Sequence, residues 1–241
     1  MLVKVTLSYD GSKFNGFQIQ NSGVKTVANK LEKILKSLSI ESRIHASGRT
    51  DTGVHATNQV IHFEVPAFWS DIKKLHHMIN QKALPDIHVN HIEVLDESFH
   101  SRYSAKKRVY RYLVSTKTPS VFMTPYMLFV DNIDEALIQK AIREFEGVHD
   151  FSYFKKVKGS DTSSVREIYK ARFYKHKDFY VFSFEANGYL RSQIRMMVYF
   201  LLEISAKRLS VEDLVEQLAC QKRHSTGLVI PNGLYLTHVK Y

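Results

Sequence analysis

Residues 47–56 read SGRTDTGVHA and place Arg49, Asp51 and His55 within seven positions, among two glycines and two threonines. So polar and glycine-rich a stretch reads as a loop, not as core. A carboxylate there serves one of two ends. Asp51 either caps a tight turn, held by the hydroxyls and amides of Thr50 and Thr52, or it is a reactive group that attacks carbon or accepts a proton. Arg49, two residues earlier, either neutralises it or reaches a phosphate. Spacing alone leaves both readings open.

A second stretch, SRYSAKKRVYRY (101–112), interleaves Arg102, Lys106, Lys107, Arg108 and Arg111 with Tyr103, Tyr110 and Tyr112. Cations suit phosphates, and an aromatic face suits an unstacked base. On a strand, Tyr110 and Tyr112 share one side and Arg111 points to the other; the two rings read equally well as core. A third stretch, NGYLRSQIRMMVYFLL (187–202), sets Arg191 and Arg195 four apart, on one face of a predicted apolar helix. A guanidinium among so many apolar side chains calls for an acidic partner. Asp51 is the candidate for Arg195.

Other chemistries fit less well. Twelve histidines include His45, His55, His62 and the pair His76–His77, yet none forms a His-x-x-x-His spacing on one element. No phosphate-loop lysine follows a glycine run, and no Gly-x-Ser-x-Gly elbow is present. A metal-dependent phosphoesterase built on Asp51, His55 and His62 stays as an alternative, as does an RNA-binding protein without catalysis.

Composition narrows the partner. Lys and Arg total 34 against 24 Asp and Glu, for a net charge of +10. Residues 1–120 carry 17 basic and 10 acidic side chains, and residues 121–241 carry 17 and 14. An excess spread along the whole chain favours a polyanion, nucleic acid before membrane. No apolar run approaches the ~20 residues that span a bilayer, and the first ten residues lack a leader pattern. The single cysteine, Cys220, suits a cytoplasmic location and is expected to be a buried thiol within a helix.

The elements that must position these groups follow from periodicity. Val3, Val5, Leu7 and Tyr9 alternate as a strand. Val27, Leu31, Ile34, Leu35 and Leu38 recur at helical spacing behind Thr26 as N-cap. Strands are expected at 43–47, 57–65 and 87–95, with a helix between the last two capped by Ser70. The order is β-α-β-β-α-β. It recurs in strands at 108–115, 166–174, 179–186 and 234–241, with helices at 134–146, at 191–206 and from Ser210. The expected class is α/β (α+β): two ferredoxin-like halves, 1–105 and 106–241, with antiparallel or mixed sheets flanking a central basic active-site cleft. Residues 155–164 are the expected mobile loop.

These segments together resemble the tRNA pseudouridine synthase A family. The resemblance runs in order through YDGSKFNGFQIQ (9–20), GRTDTGVHA (48–56), NQKALPDI (80–87), FHSRYSA (99–105), RVYRY (108–112), GVHDFSYF (147–154), NGYLRSQIR (187–195) and GLYL (233–236). It implies that Asp51 is the catalytic aspartate and that Arg49 enters the space vacated by the target nucleotide. It further implies that Tyr110 stacks on the uracil, Arg195 pairs with Asp51, and Leu234 lies beneath the base. The family acts as a homodimer, without cofactor or metal, on uridines 38, 39 and 40 of the tRNA anticodon stem-loop. Phe17 and Ile19 stand where the family often has tryptophan and a basic residue, and Arg191-Ser192-Gln193 replaces a common His-His-Met.

Overall fold

The computed structural model describes residues 1–20, 23–156 and 163–241. Most of the expected mobile loop, residues 157–162, lies outside the described residues. The chain divides into two compact units, Met1–Lys106 with Tyr235–Tyr241, and Lys107–Leu234. The sequence reading placed 106–241 in one half; in the structure the last seven residues join the first unit.

The first unit holds β1 (Leu2–Tyr9), α1 (Val27–Ser37), β2 (His45–Ala46), β3 (His55–Glu64), α2 (Ile72–Ala83) and β4 (Ile87–Leu95). Its strands run β4-β1-β3, antiparallel, with β2 on the far edge of β3. That is the β-α-β-β-α-β arrangement the period-two and helical patterns predict. Val3, Val5, Leu7 and Tyr9 are all buried, and Leu31, Ile34, Leu35, Leu75 and Ile79 are the buried face of the two helices. Thr26 caps α1 by accepting the Asn29 N–H. The cap of α2 is Asp71 rather than Ser70, because its carboxylate accepts the Lys74 N–H at 2.9 Å, three residues on.

The second unit holds β5 (Lys107–Ser115), β6 (Leu128–Phe129), α3 (Glu135–Ala141), β7 (Gly147–Asp150), β8 (Val165–His176), β9 (Phe179–Ala186), α4 (Gln193–Ser205) and α5 (Val211–Leu218). Strands β5-β9-β8-β7 pair antiparallel, and β6 adds to β5 in parallel. Phe145, Phe151, Phe154, Phe182, Phe184 and Phe200 are fully buried and form much of its core. The helix expected over 134–146 is α-helical only to Ala141 and continues as a 3-10 turn, Ile142–Phe145, which keeps Ile142 and Phe145 buried. Cys220 is neither helical nor fully buried. It follows α5 with a left-handed backbone (φ 55°), and its thiol donates to the Asp150 carbonyl at 3.4 Å.

The final strand, β10 (Leu234–Lys240), pairs in parallel with the start of β3, Tyr235 opposite His55 and Leu236 opposite Ala56. β2 covers the other end of β3, His45 opposite His62. The chain leaving β2 must therefore travel back along β3 before entering it, and residues 47–54 make that return.

Candidate active site

The return loop is fixed from several sides. Gln59, fully buried on β3, accepts from the Ser47 hydroxyl at 2.7 Å and donates to the Gly48 carbonyl at 3.0 Å. The same Gln59 oxygen accepts the Val60 N–H at 3.1 Å. Buried Thr50 shares a 2.8 Å hydrogen bond with the Tyr9 hydroxyl, and its carbonyl accepts the Phe17 N–H at 3.1 Å. At Gly16, φ is +88° and an added Cβ would come within 2.9 Å of the Thr50 carbonyl, so only glycine permits this approach. Gly53 turns the corner at φ +80°, and the Val54 N–H returns to the Asp51 carbonyl at 3.1 Å.

Asp51 thus sits half-buried at the apex of a turn closed through its own backbone, and Arg49 is exposed two residues before it. His55 is buried, stacked on Tyr235 at 4.7 Å, and its Nδ1 accepts the Gly11 N–H at 3.0 Å. Its Nδ1 also lies 3.4 Å from the Asp10 carboxylate. His55 is a strut of the loop.

In the second unit, Tyr110 and Tyr112 lie on the same buried side of β5, and Arg111 between them is exposed. The Tyr110 ring packs edge-to-face against Tyr189 at 5.2 Å, which fixes its plane. Tyr112 is core: its hydroxyl donates to the Ile230 carbonyl at 2.7 Å, and burial keeps it neutral far above the usual phenol range despite nearby Arg195. Arg195 is half-buried on α4; its Nε donates to the Val229 carbonyl at 2.8 Å, and its own carbonyl accepts the Val229 N–H. Gly233 lies so close to Tyr112 that a Cβ would meet the ring at 2.8 Å. Residues 229–233 are therefore clamped between Arg195 and Tyr112, and they deliver Leu234, buried, at the start of β10.

The basic residues separate by environment. Arg102, Lys106, Arg111 and Arg191 are exposed. Lys107 instead pairs with Glu185 at 2.9 Å and lies 4.5 Å over Tyr169, while Arg108 donates to the Asn187 carbonyl at 2.8 Å. Arg191 does not share a helix face with Arg195. Ser192, at φ 61°, breaks the helical path, so α4 begins only at Gln193.

Among the described residues two clusters have the composition of metal sites, and hydrogen bonding within each competes with a cation. His45, His62 and His100 bring ring nitrogens within 4.8 Å of one another. Nδ1 of His62 accepts the Ser101 N–H at 3.1 Å, and Nδ1 of His100 accepts those of Arg102 and Tyr103. His100 then carries its proton on Nε2 and has no lone pair left for a cation, while Nδ1 of His62 is also engaged by the Ser101 hydroxyl at 2.8 Å. His224 is held between Asp213 and Glu216, at 3.1 and 2.7 Å, so both ring nitrogens face carboxylates.

The histidine stack gives a pH dependence. Burial, then His100 and His45, lower the His62 pKa to about 4. Unfolded, the ring titrates near 6.5, so between about pH 6.5 and 4 the unfolded chain holds a proton the folded chain lacks. Stability is therefore expected to fall as pH falls through that window, by up to about 3 kcal/mol from this ring. His62→Asn keeps an acceptor for Ser101 and should flatten the drop in urea midpoint between pH 7 and 4.5; equal drops in both proteins would contradict this origin.

The sequence as a whole matches a known enzyme family. A family model described as tRNA pseudouridine synthase matches residues 6–104 and 141–241. A tRNA pseudouridine synthase A from Wolinella succinogenes is 40% identical over 235 residues, 98% of this chain and 92% of the relative. One from Helicobacter hepaticus is 38% identical over 99% of this chain and 98% of its own length. A Campylobacter jejuni enzyme of the same name is 36% identical over the full length of both. The chain belongs to the tRNA pseudouridine synthase family, a family of isomerases.

Sequence reasoning singled out Asp51, Arg49, Tyr110, Arg195 and Leu234 but missed the residues that hold them. Gln59, Tyr9, Tyr189 and Val229 act across long sequence separations. The one local signal was a glutamine directly before the apolar pair Val60–Ile61.

Proposed function

We propose that this protein converts uridine to pseudouridine in the anticodon stem-loop of tRNA, at positions 38, 39 and 40, with Asp51 as the essential carboxylate. The observation that carries this reading is the GRTDTG loop, pinned by Gln59, Gly16 and Thr50 so that a half-buried carboxylate is held at its apex. The reaction breaks the N1–C1′ bond, turns the uracil, forms C5–C1′, and moves the C5 proton to solvent while N1 gains one. Substrate and product have the same composition, so neither oxidant, energy source nor cofactor is needed. Asp51 acts as an anion, by attack at C1′ or C6 or by taking a sugar proton. The family resemblance makes Arg195 its partner, and a paired guanidinium favours the anionic form.

A base within a stem must be extruded first, at a cost of roughly a few kcal/mol. Stacking on Tyr110 returns about 1–3 kcal/mol, and Arg49 takes the vacated space and a phosphate. Leu234 supplies an apolar floor. Arg102, Lys106, Lys107, Arg108, Arg111 and Arg191 are assigned to the RNA backbone; for Lys107 and Arg108 this requires exchanging an existing partner. Among the described residues no helix is long and apolar enough to cross a membrane. A cytoplasmic homodimer completes the reading, because one protomer offers a small surface for a whole tRNA.

The test is release of tritium from tRNA labelled at uridine C5. Purified protein should release it, and tRNA lacking uridine at 38–40 should give none; a full-length tRNA that binds without release would refute the assignment. Tyr110→Phe should keep much of the rate and Tyr110→Ala should lose roughly tenfold or more in kcat/KM, about the worth of one stacked base. Equal rates for the two variants would count against stacking.

A further inference from the structure

Beyond the residues already assigned, the helical layer of the first unit carries a basic groove. It has a volume of about 450 Å³ and runs along one face of α1, from Gly23 past Thr26, Lys30, Lys33 and Ser37, with Lys82 of α2 on its rim. Four lysines line it, Lys25, Lys30, Lys33 and Lys82. Two of them share a single carboxylate: Lys25 and Lys30 reach Asp86 at 2.7 and 3.2 Å. Lys30 also donates to the Ala83 carbonyl, closing the end of α2. Lys33 and Lys82 are exposed and make no ion pair among the described residues. One carboxylate against four ammonium groups leaves the groove strongly positive.

The groove is joined to the catalytic loop by a short hydrogen-bonded path. The Thr50 carbonyl accepts the Phe17 N–H, the Phe17 carbonyl accepts the Ala28 N–H, and the Gly16 carbonyl accepts the Val27 N–H. The Lys25 carbonyl likewise accepts the Asn15 N–H. The first turn of α1, where the groove begins, is thus one strand of chain away from the residue that follows Arg49. The first-turn amides are already used internally, so the attraction comes from the lysines and not from the helix end.

We propose that this groove binds the sugar–phosphate backbone of the RNA substrate away from the target uridine, with Lys33 and Lys82 each contacting a phosphate. This inference rests on the reading of the protein as an enzyme that acts on RNA. It adds a contact surface that neither Asp51 nor the 101–112 segment supplies. A compact row of ammonium groups with an apolar floor, Val24 and Ile34, suits a flexible polyanion that needs charge without base-specific contacts.

The test is a Lys33→Glu/Lys82→Glu variant of the full chain, compared with wild type and with Lys140→Glu/Lys207→Glu, which changes the net charge equally on the second unit. Binding of unmodified tRNA is measured by filter retention from 50 to 300 mM salt, and turnover by tritium release. The groove variant should weaken binding about tenfold near physiological salt and flatten the log–log salt slope by about 2, two phosphate contacts' worth. Its kcat at saturating tRNA should be unchanged, and Lys33→Arg/Lys82→Arg should bind as wild type. A groove variant no weaker than the charge control, or one with the wild-type slope, would overturn the proposal; a groove suited to an acidic protein instead would give that result. If wild type bound tRNA but released no tritium, the catalytic reading would fail while the binding arm still reported on the groove.

Discussion

Asp51→Ala should bind tRNA within about twofold of wild type and lower pseudouridine formation by roughly 10⁴-fold or more, the scale seen when a covalent or proton-abstracting group is removed. Several features of the loop make this a clean test. The apex turn is closed by the Asp51 carbonyl and the Val54 amide, neither of which the substitution removes. The supports on either side, Gln59 with Ser47 and Gly48, and Tyr9 with Thr50, are also untouched. The variant should therefore fold with the backbone supports of the loop intact. Asp51→Asn, which keeps the shape and removes the charge, should be nearly as inactive. Tritium release by either variant at more than a few per cent of the wild-type rate would return Asp51 to the role of a turn residue.

Arg195→Met carries the second largest effect. Methionine keeps much of the apolar stem that packs within α4 and removes only the guanidinium. A fixed positive group that favours an anionic catalyst is worth roughly 10²–10³ in kcat. The expected result is such a fall in kcat, with KM for tRNA changed about threefold or less. The clamp on Val229 makes the residue rigid: the Arg195 Nε donates to the Val229 carbonyl at 2.8 Å while the Arg195 carbonyl accepts the Val229 amide at 3.2 Å. A loss expressed in KM alone would make Arg195 an RNA contact, and an unchanged kcat would remove it from the chemistry.

The alternating and helical segments were legible because local pattern and tertiary burial agree there. Val3 to Tyr9, the Thr26 cap, the strands at 87–95 and 179–186, and the helix from Ser210 all appear where the local pattern places them. Differences arise where a neighbouring group outcompetes the local signal. Asp71 displaces Ser70 because its carboxylate reaches the third amide of α2. Arg191 falls off α4 because Ser192 takes a left-handed backbone. Cys220 leaves its helix for the same reason, at φ 55°.

The candidate residues themselves stood out as chemical anomalies: a carboxylate between glycines, and a guanidinium in an apolar helix. What holds them did not stand out. Gln59 lies eleven and twelve residues from the groups it fixes, Tyr9 lies 41 from Thr50, and Val229 lies 34 from Arg195. Such contacts are created by tertiary packing, which the local pattern of polar and apolar residues does not encode. The groove on α1 was hidden for a related reason, since its lysines read singly as ordinary solvated helix residues.

The most direct measurement maps pseudouridine across all tRNAs from cells with the gene, without it, and with it restored as Asp51→Ala. Pseudouridine at positions 38, 39 and 40 should vanish in the deletion, return with the wild-type gene and stay absent with Asp51→Ala, while other tRNA positions keep theirs. Pseudouridine persisting at 38–40 in the deletion, or restored by Asp51→Ala, would contradict the account.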